Sequence, residues 1–435
     1  MKSTSFFQAG VIAAFIILAV IGLFTFATYT GTSGGASFGT VVIWGTFPVT
    51  RMQQALSAFG QIDERFKGIS YVEKRAESFT DEYVNAVAAG RGPDLVVISH
   101  EDIARLRATL YQIPYDSISR RSYLDTFADG AGVYLGGAGS YGIPFAIDPL
   151  VLYYNRNILS SSGIAAPPAS WEAVAGLAPK VARVSDRQDV TRGLIALGSY
   201  ANVHNARGIL SALFIQAGVS LAFETSQGTI RPSLASGKDA DNIAPAEAVV
   251  RYYTAFANPA QSTYTWNAGE PDSRQAFLSG DLALYLGYAS ESPFLRAANP
   301  NLSFDMAKFP QPASASARAT YGRIYALAIP RAGVNLSGAY GAAVALSAKE
   351  AQTILASAAG AVAPARRDLL SEIPSDPFVA VAYGEALISH GWLSPEPALT
   401  DAAFAAMIQG VVSGSMQLSE AVAKAEQALS AAYGP

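Results

Sequence analysis

Few side chains in this sequence are both reactive and suitably spaced for chemistry. Cysteine is absent, which removes disulfides, thiolate zinc sites and a sulfur nucleophile together. The three histidines, His100, His204 and His390, are widely separated, with neither HxH nor HxxxH spacing, so each reads as a solvated or packed imidazole and no metal site is expected. Two GxSxG matches occur, at 31–35 and 35–39, but a nucleophile elbow needs a strand before it and a helix after it. Here an apolar run precedes and a strand follows. Glu101 and Asp148 are nominal partners for glycoside hydrolysis, which takes two carboxylates about 5 to 9 Å apart, but nothing around either looks tuned for acid or base work. No catalytic residue and no cofactor is therefore expected. What remains is binding chemistry: aromatic rings, hydroxyls and a few carboxylates.

The elements that position those groups begin at Thr40. Thr40 to Trp44 is a continuous β-branched and apolar run suited to a strand buried on both faces, and Gly45 and Pro48 end it. Met52, Leu56 and Phe59 recur at helical spacing over 51–59. A second strand is read at 69–72, and a helix starting near Ser78 stops at Gly90. Gly92-Pro93-Asp94 turns into a third strand, 95–98, and Ile103, Leu106 and Leu110 mark a further helical stretch. Strand, helix, strand, helix, strand means a parallel sheet with crossover helices, and such sheets bind ligands beyond the carboxyl ends of their strands. Trp44, Thr46 and Phe47 after the first strand, and Ser99, His100 and Glu101 after the third, are the candidate floor of a site. Trp44 also suits a core aromatic, and Glu101 also suits a carboxylate favoured at a helix N-terminus.

A chain of 435 residues exceeds what one hydrophobic core fills, so two domains are expected. Half the residues are hydrophobic and 15% are charged, the profile of a folded protein. The net charge of -4 and the lack of a basic stripe argue against a nucleic-acid partner. Between Lys2 and Arg51 there is no charge, and 9–27 is apolar apart from Thr25. About 20 residues suffice to cross a bilayer, so 9–29 is read as an uncleaved anchor, with 1–8 cytoplasmic and 30–37 a flexible linker. Thr25-Phe26-Ala27 is a passable cleavage site, which would instead make this a removable signal and the protein secreted.

From Tyr141 the sequence becomes recognisable. Tyr141-Gly-Ile-Pro through Tyr153-Tyr154-Asn155, together with 89–98, Pro167 to Glu172, 277–287, 321–330 and 363–366 in the same order, resembles the extracellular solute-binding proteins of sugar ABC importers, the maltose-binding-protein-like group. The resemblance covers nearly everything after the apolar run. It implies an α/β, two-lobed periplasmic-binding-protein fold of type II, with discontinuous lobes around a hinge: 38–147 and 323–360 in one lobe, 148–322 and 361–435 in the other. It also implies that Asp148 faces the cleft on the first crossing, that Tyr288 and Ser290 follow a hairpin that often presents an aromatic, and that Tyr321 and Arg323 flank the second crossing. This chain has no tryptophan at the hairpin. Trp266 and Trp392 are further candidates for stacking platforms, and either suits packing equally, since large aromatics are usually partly buried. The implied role is substrate-binding subunit of an ABC importer, a monomer that captures a mono- or oligosaccharide and delivers it to permease subunits, held to the membrane through its N-terminal helix. A sensing receptor of the same fold, or an importer subunit for a polyamine, peptide or anion, would fit the same pattern; a glycoside hydrolase fits poorly.

Overall fold

A computed structural model describes residues 37–237, 244–358 and 362–434. The expected anchor at 9–29 lies outside the described residues. Among the described residues no helix is long and apolar enough to cross a membrane.

The parallel start forms as the sequence predicts. Strand Val41–Gly45 pairs in parallel with Ile69–Glu73 on one side and Leu95–Ser99 on the other, with helices Val49–Ile62 and Phe79–Ala88 as the crossovers. Gly90 has a φ of +66°, which ends the second helix with a backbone that a side chain would disfavour. The sheet then continues through the return strand, Thr320–Ala328, to the crossing strand, Ile143–Asn155, and on to Leu282–Tyr288 and Val190–Ile195. The return strand is antiparallel to both of its neighbours.

The crossing strand is buried at every position but Tyr154, the reason its sequence is a near-continuous apolar run. It serves two cores. Ile143, Phe145, Ala146 and Ile147 pack with Val41, Ile43, Leu95 to Ile98 and Ile324 to Ile329. Leu150 to Tyr153 pack instead with Leu194 to Leu197, Leu282 to Leu286, Phe404 and Tyr321. At about 1.5 to 3 kcal/mol for each large apolar side chain removed from water, each cluster is a core in its own right. Four residues lie between the two clusters, Asp148 and Pro149 on the crossing strand and Gly322 and Arg323 on the return strand. They face each other in register, Arg323 opposite Asp148 and Gly322 opposite Pro149. A Cβ on Gly322 would fall 2.6 Å from Ser389 Oγ and 3.2 Å from Pro149 Cα, so only glycine permits this approach.

The chain passes between the cores a third time later than the sequence suggests. Ala363 and Pro364 pair with Ile147 and Ala146 of the crossing strand, and Val362, Ala363, Ala365 and Leu370 belong to the first core. A boundary at 361 is therefore too early. Helix Pro377–Leu387 straddles the division, with Ala382 in the second core and Ala386 in the first, and Trp392 lies wholly in the second.

Tyr134 ties two strands of the first core together. Its buried hydroxyl lies 3.0 Å from the Ile98 carbonyl and 2.7 Å from the Ile324 carbonyl. Tyr134→Phe keeps the ring and strips both acceptors of this donor, so it should destabilise the protein by about 1 to 3 kcal/mol. A urea denaturation midpoint equal to that of the wild type would show that these carbonyls do not depend on it.

Candidate functional site

Strand Leu95–Ser99 delivers Glu101 to the boundary between the cores. Ser99 accepts from the Glu101 N–H at 3.2 Å and so starts the tight turn His100–Asp102. Its hydroxyl is thereby committed to the backbone. Glu101 is buried, 7% exposed at its side chain, and three groups converge on it. Tyr321 of the return strand donates its hydroxyl to Oε1 at 2.6 Å. Arg207 donates Nη2 to the same oxygen at 3.2 Å, and Arg323 brings Nε to 3.5 Å from Oε2. Burial alone would push the Glu101 carboxyl up, but Arg207 and Arg323 outweigh it and hold it down at about 2.

His100 supports this cluster from beneath. Its Nδ1 accepts from the Ile324 N–H at 3.2 Å, which leaves the proton on Nε2, 3.3 Å from the Tyr321 hydroxyl. Burial lowers its pKa to about 4, so the ring is neutral at pH 7. It fixes Tyr321, which in turn fixes Glu101.

Arg207 links the two cores. It stands in the first turn of helix Ala206–Gln216, the wrong end of a helix dipole for a cation, and two carboxylates offset that cost. Besides Glu101 it bonds Asp401 at 2.7 Å, and Asp401 also accepts from the Tyr200 hydroxyl. Gly208 next to it lets Tyr288 of the second core approach, since a Cβ there would fall 2.5 Å from the Tyr288 hydroxyl. The Arg323 guanidinium lies over the Tyr288 ring, 4.1 Å from its centre. Beside these groups is a cavity of about 310 Å³ lined by Tyr200, His204, Asn205, Arg207, Tyr288, Arg323 and Asp401 among others. Two further ion pairs join the halves away from it: Arg107 to Glu224 at 3.1 Å, with a bond to the Gly228 carbonyl at 2.9 Å, and Arg105 to Glu396 at 3.4 Å.

The structure thus brings Glu101, Tyr288, Tyr321 and Arg323 together, and disperses or reassigns the other expected residues. Asp148 does not present its carboxylate to the gap. It is buried, and its two oxygens accept from the Ser290 N–H at 2.9 Å and the Ser290 hydroxyl at 2.6 Å, so the pair clasps the crossing strand to the turn after the hairpin. Trp266, 1% exposed, is packed in the second core with its N–H on Asn202. Trp392 is buried there too, stacked on Phe404 with its N–H on Ser211. Neither can offer a face to a solute. Trp44 packs against the first core under the Lys74 ammonium, 3.9 Å from its ring centre. Phe47 is held by the rings of Phe145 and Tyr325, and neither Trp44 nor the half-buried Thr46 lines the cavity. Sequence reasoning missed Arg207, Asp401 and Tyr200. Nothing in Asn205-Ala-Arg-Gly208 marks the arginine, whose partners lie 106 and 194 residues away.

This geometry, two sheet-based cores joined by crossing strands with a polar cluster where they meet, is that of a solute-binding protein. Residues 63–380 match the bacterial extracellular solute-binding protein family, and the chain belongs to it. The family is one of extracytoplasmic binding proteins, not enzymes. No curated protein matches the sequence. Among solved structures, the chain is similar to a cyclo/maltodextrin-binding protein complexed with maltotetraose, at TM-score 0.71 and 17% identity, covering 92% of this chain and 98% of that one. It is similar also to the cyclic alpha-maltosyl-1,6-maltose binding protein of Arthrobacter globiformis, at 0.72 and 14%, covering 91% and 98%. A third is an ABC transporter solute-binding protein of Thermotoga lettingae bound with alpha-D-tagatose, at 0.67 and 19%, covering 91% and 100%.

Asp148 gives the site a pH signature. Burial raises its pKa from 3.8 to about 6, against the pull of its Ser290 bonds. The unfolded chain therefore loses this proton first, and stability from this group falls as the pH rises through that window. Asp148→Asn keeps the size and an accepting oxygen. Its melting temperature relative to wild type should climb between about pH 4 and pH 7, while the opposing titration of His100 is common to both proteins and cancels. Parallel curves across that range would rule out Asp148 as the titrating group.

Proposed function

We propose that the chain is the substrate-binding subunit of an ABC importer, capturing a sugar between its two lobes and passing it to a membrane permease. The observation that carries this reading is the polar cluster at the junction of the cores, where Glu101 of one half meets Arg207 of the other beside a cavity. A solute in that cavity touches Arg207 and Asp401 of the second half and Arg323 of the return strand, and both arginines are paired with Glu101 of the first half. It then favours the arrangement in which they are together, which is what lets a hinged pair close on its ligand. Hydroxyl-rich solutes suit walls made of guanidinium donors, carboxylate acceptors and phenols. The sugar-binding structural neighbours support the same class of solute. In this reading the first lobe is 38–147 with about 324–370, the second is the remainder, and the hinge is the set Asp148, Pro149, Gly322 and Arg323.

A thermal-shift screen across sugars, amino acids, polyamines and phosphates tests the reading directly. At least one sugar should raise the melting temperature; ligand at a hundredfold over Kd stabilises by about 2.7 kcal/mol. A response to polyamines or phosphates with silence from every sugar would replace the proposed solute class.

We propose further that residues 9–29 hold the protein in the membrane with its lobes outside. The apolar run supports this, being as long as a bilayer core requires. On cell fractionation the full chain should stay with membranes through alkaline washing and leave only with detergent, whereas a chain beginning at residue 38 behind a cleavable signal should be soluble. Release of a shortened natural product from the cell would show cleavage instead.

A further inference from the structure

The cavity beside the junction of the halves has walls unlike those of a site for long oligosaccharides. A chain of sugar rings is held by a row of open aromatic faces, because each ring offers an apolar C–H surface that a flat side chain can cover. Here the available faces are already occupied. Trp44 lies under the Lys74 ammonium, Tyr288 under the Arg323 guanidinium, and Trp266 and Trp392 are sealed in the second core. Tyr200, half-buried on the cavity wall with its hydroxyl given to Asp401, leaves one ring for one apolar face.

The charges on the wall are also matched. Arg207 is shared between Glu101 and Asp401, and Arg323 pairs with Glu101, so two guanidinium groups meet two carboxylates. His204 on the same wall faces Asp272 at 3.3 Å. An ionic solute entering here would leave its own charge, or one of these, without a partner in a partly desolvated site, and that costs affinity. A neutral solute can bond to the remaining N–H groups and lone pairs without disturbing the balance. The space is limited too: 310 Å³ stands at the low end of the ~300 to 1,000 Å³ range of small-molecule sites.

We infer that the solute is an uncharged sugar or polyol of one or two rings, held by hydrogen bonds to the Arg207, Asp401 and Arg323 cluster and not by a run of stacked aromatics. This rests on the sugar-binding reading and narrows it. The test is calorimetry on the full chain in a detergent without a sugar headgroup, titrating the mono-, di-, tri- and tetrasaccharides of glucose, mannose and galactose, together with the corresponding uronates. Affinity should peak at one or two rings and fall at least tenfold by four, and each uronate should bind at least tenfold more weakly than its neutral parent. A tetrasaccharide or a uronate that binds more tightly overturns this inference and leaves sugar binding standing. If no sugar of any length gives heat while a charged non-sugar solute does, both fall.

Discussion

Two antiparallel strands pass from one hydrophobic core to the other within two residues of each, and the rest of the molecule is organised by that passage. Apolar side chains before Asp148 and after Pro149 are drawn into different clusters, as are those on either side of Gly322 and Arg323. The four residues between are the ones the cores do not claim. Pro149 has no N–H to give to the ladder, and Gly322 has no side chain to wedge against Ser389. The junction is therefore continuous in backbone while belonging to neither apolar cluster. The Asp148 to Ser290 clasp and the Arg323 pair sit at this junction, so the polar chemistry lies where the two cores meet.

The ionic cluster there illustrates how desolvation and pairing trade against each other. A carboxylate as buried as Glu101 would be protonated if left alone, and it stays charged because two arginines and a phenol surround it. Such buried pairs add little net stability over an apolar filling of the same shape. Their contribution here is orientation. Glu101 is anchored by the first half and Arg207 by the second, so their contact exists only when the halves stand in one particular arrangement.

Much of the framework was readable in the residues because it follows from local pattern. Alternating strand and helix signals over 40–110 yielded the parallel start with its boundaries displaced by a few residues, and the placement of Glu101 beyond the third strand followed from the rule for open sheets. Between platform and packing the sequence could not choose for the tryptophans, because it reports a ring and not its surroundings: Trp266 and Trp392 are the right residue type, already surrounded by core. Asp148 stands on the expected strand, but its acceptors are consumed by a serine 142 residues away, a pairing with no local trace. Arg207 was invisible for the same reason. The late return to the second half escaped notice because Ala363-Pro364 is a two-residue strand, too short for periodicity to register.

The double excursion of the chain has a consequence for its birth. Since the first core draws on residues near 41 and again on residues near 324 to 370, a ribosome making this protein must finish more than three hundred residues before that core can close. Until then strands at 41–45, 69–73 and 95–99 have an edge with no neighbour, the kind of unpaired surface to which other chains adhere. The second half has most of its sheet once residue 307 is made, but it still awaits the start of the return strand at Thr320 and Tyr321 and the C-terminal helices that carry Phe404 and Leu429. Neither half is complete when the other begins, so the two mature together, late, and from a nearly finished polypeptide.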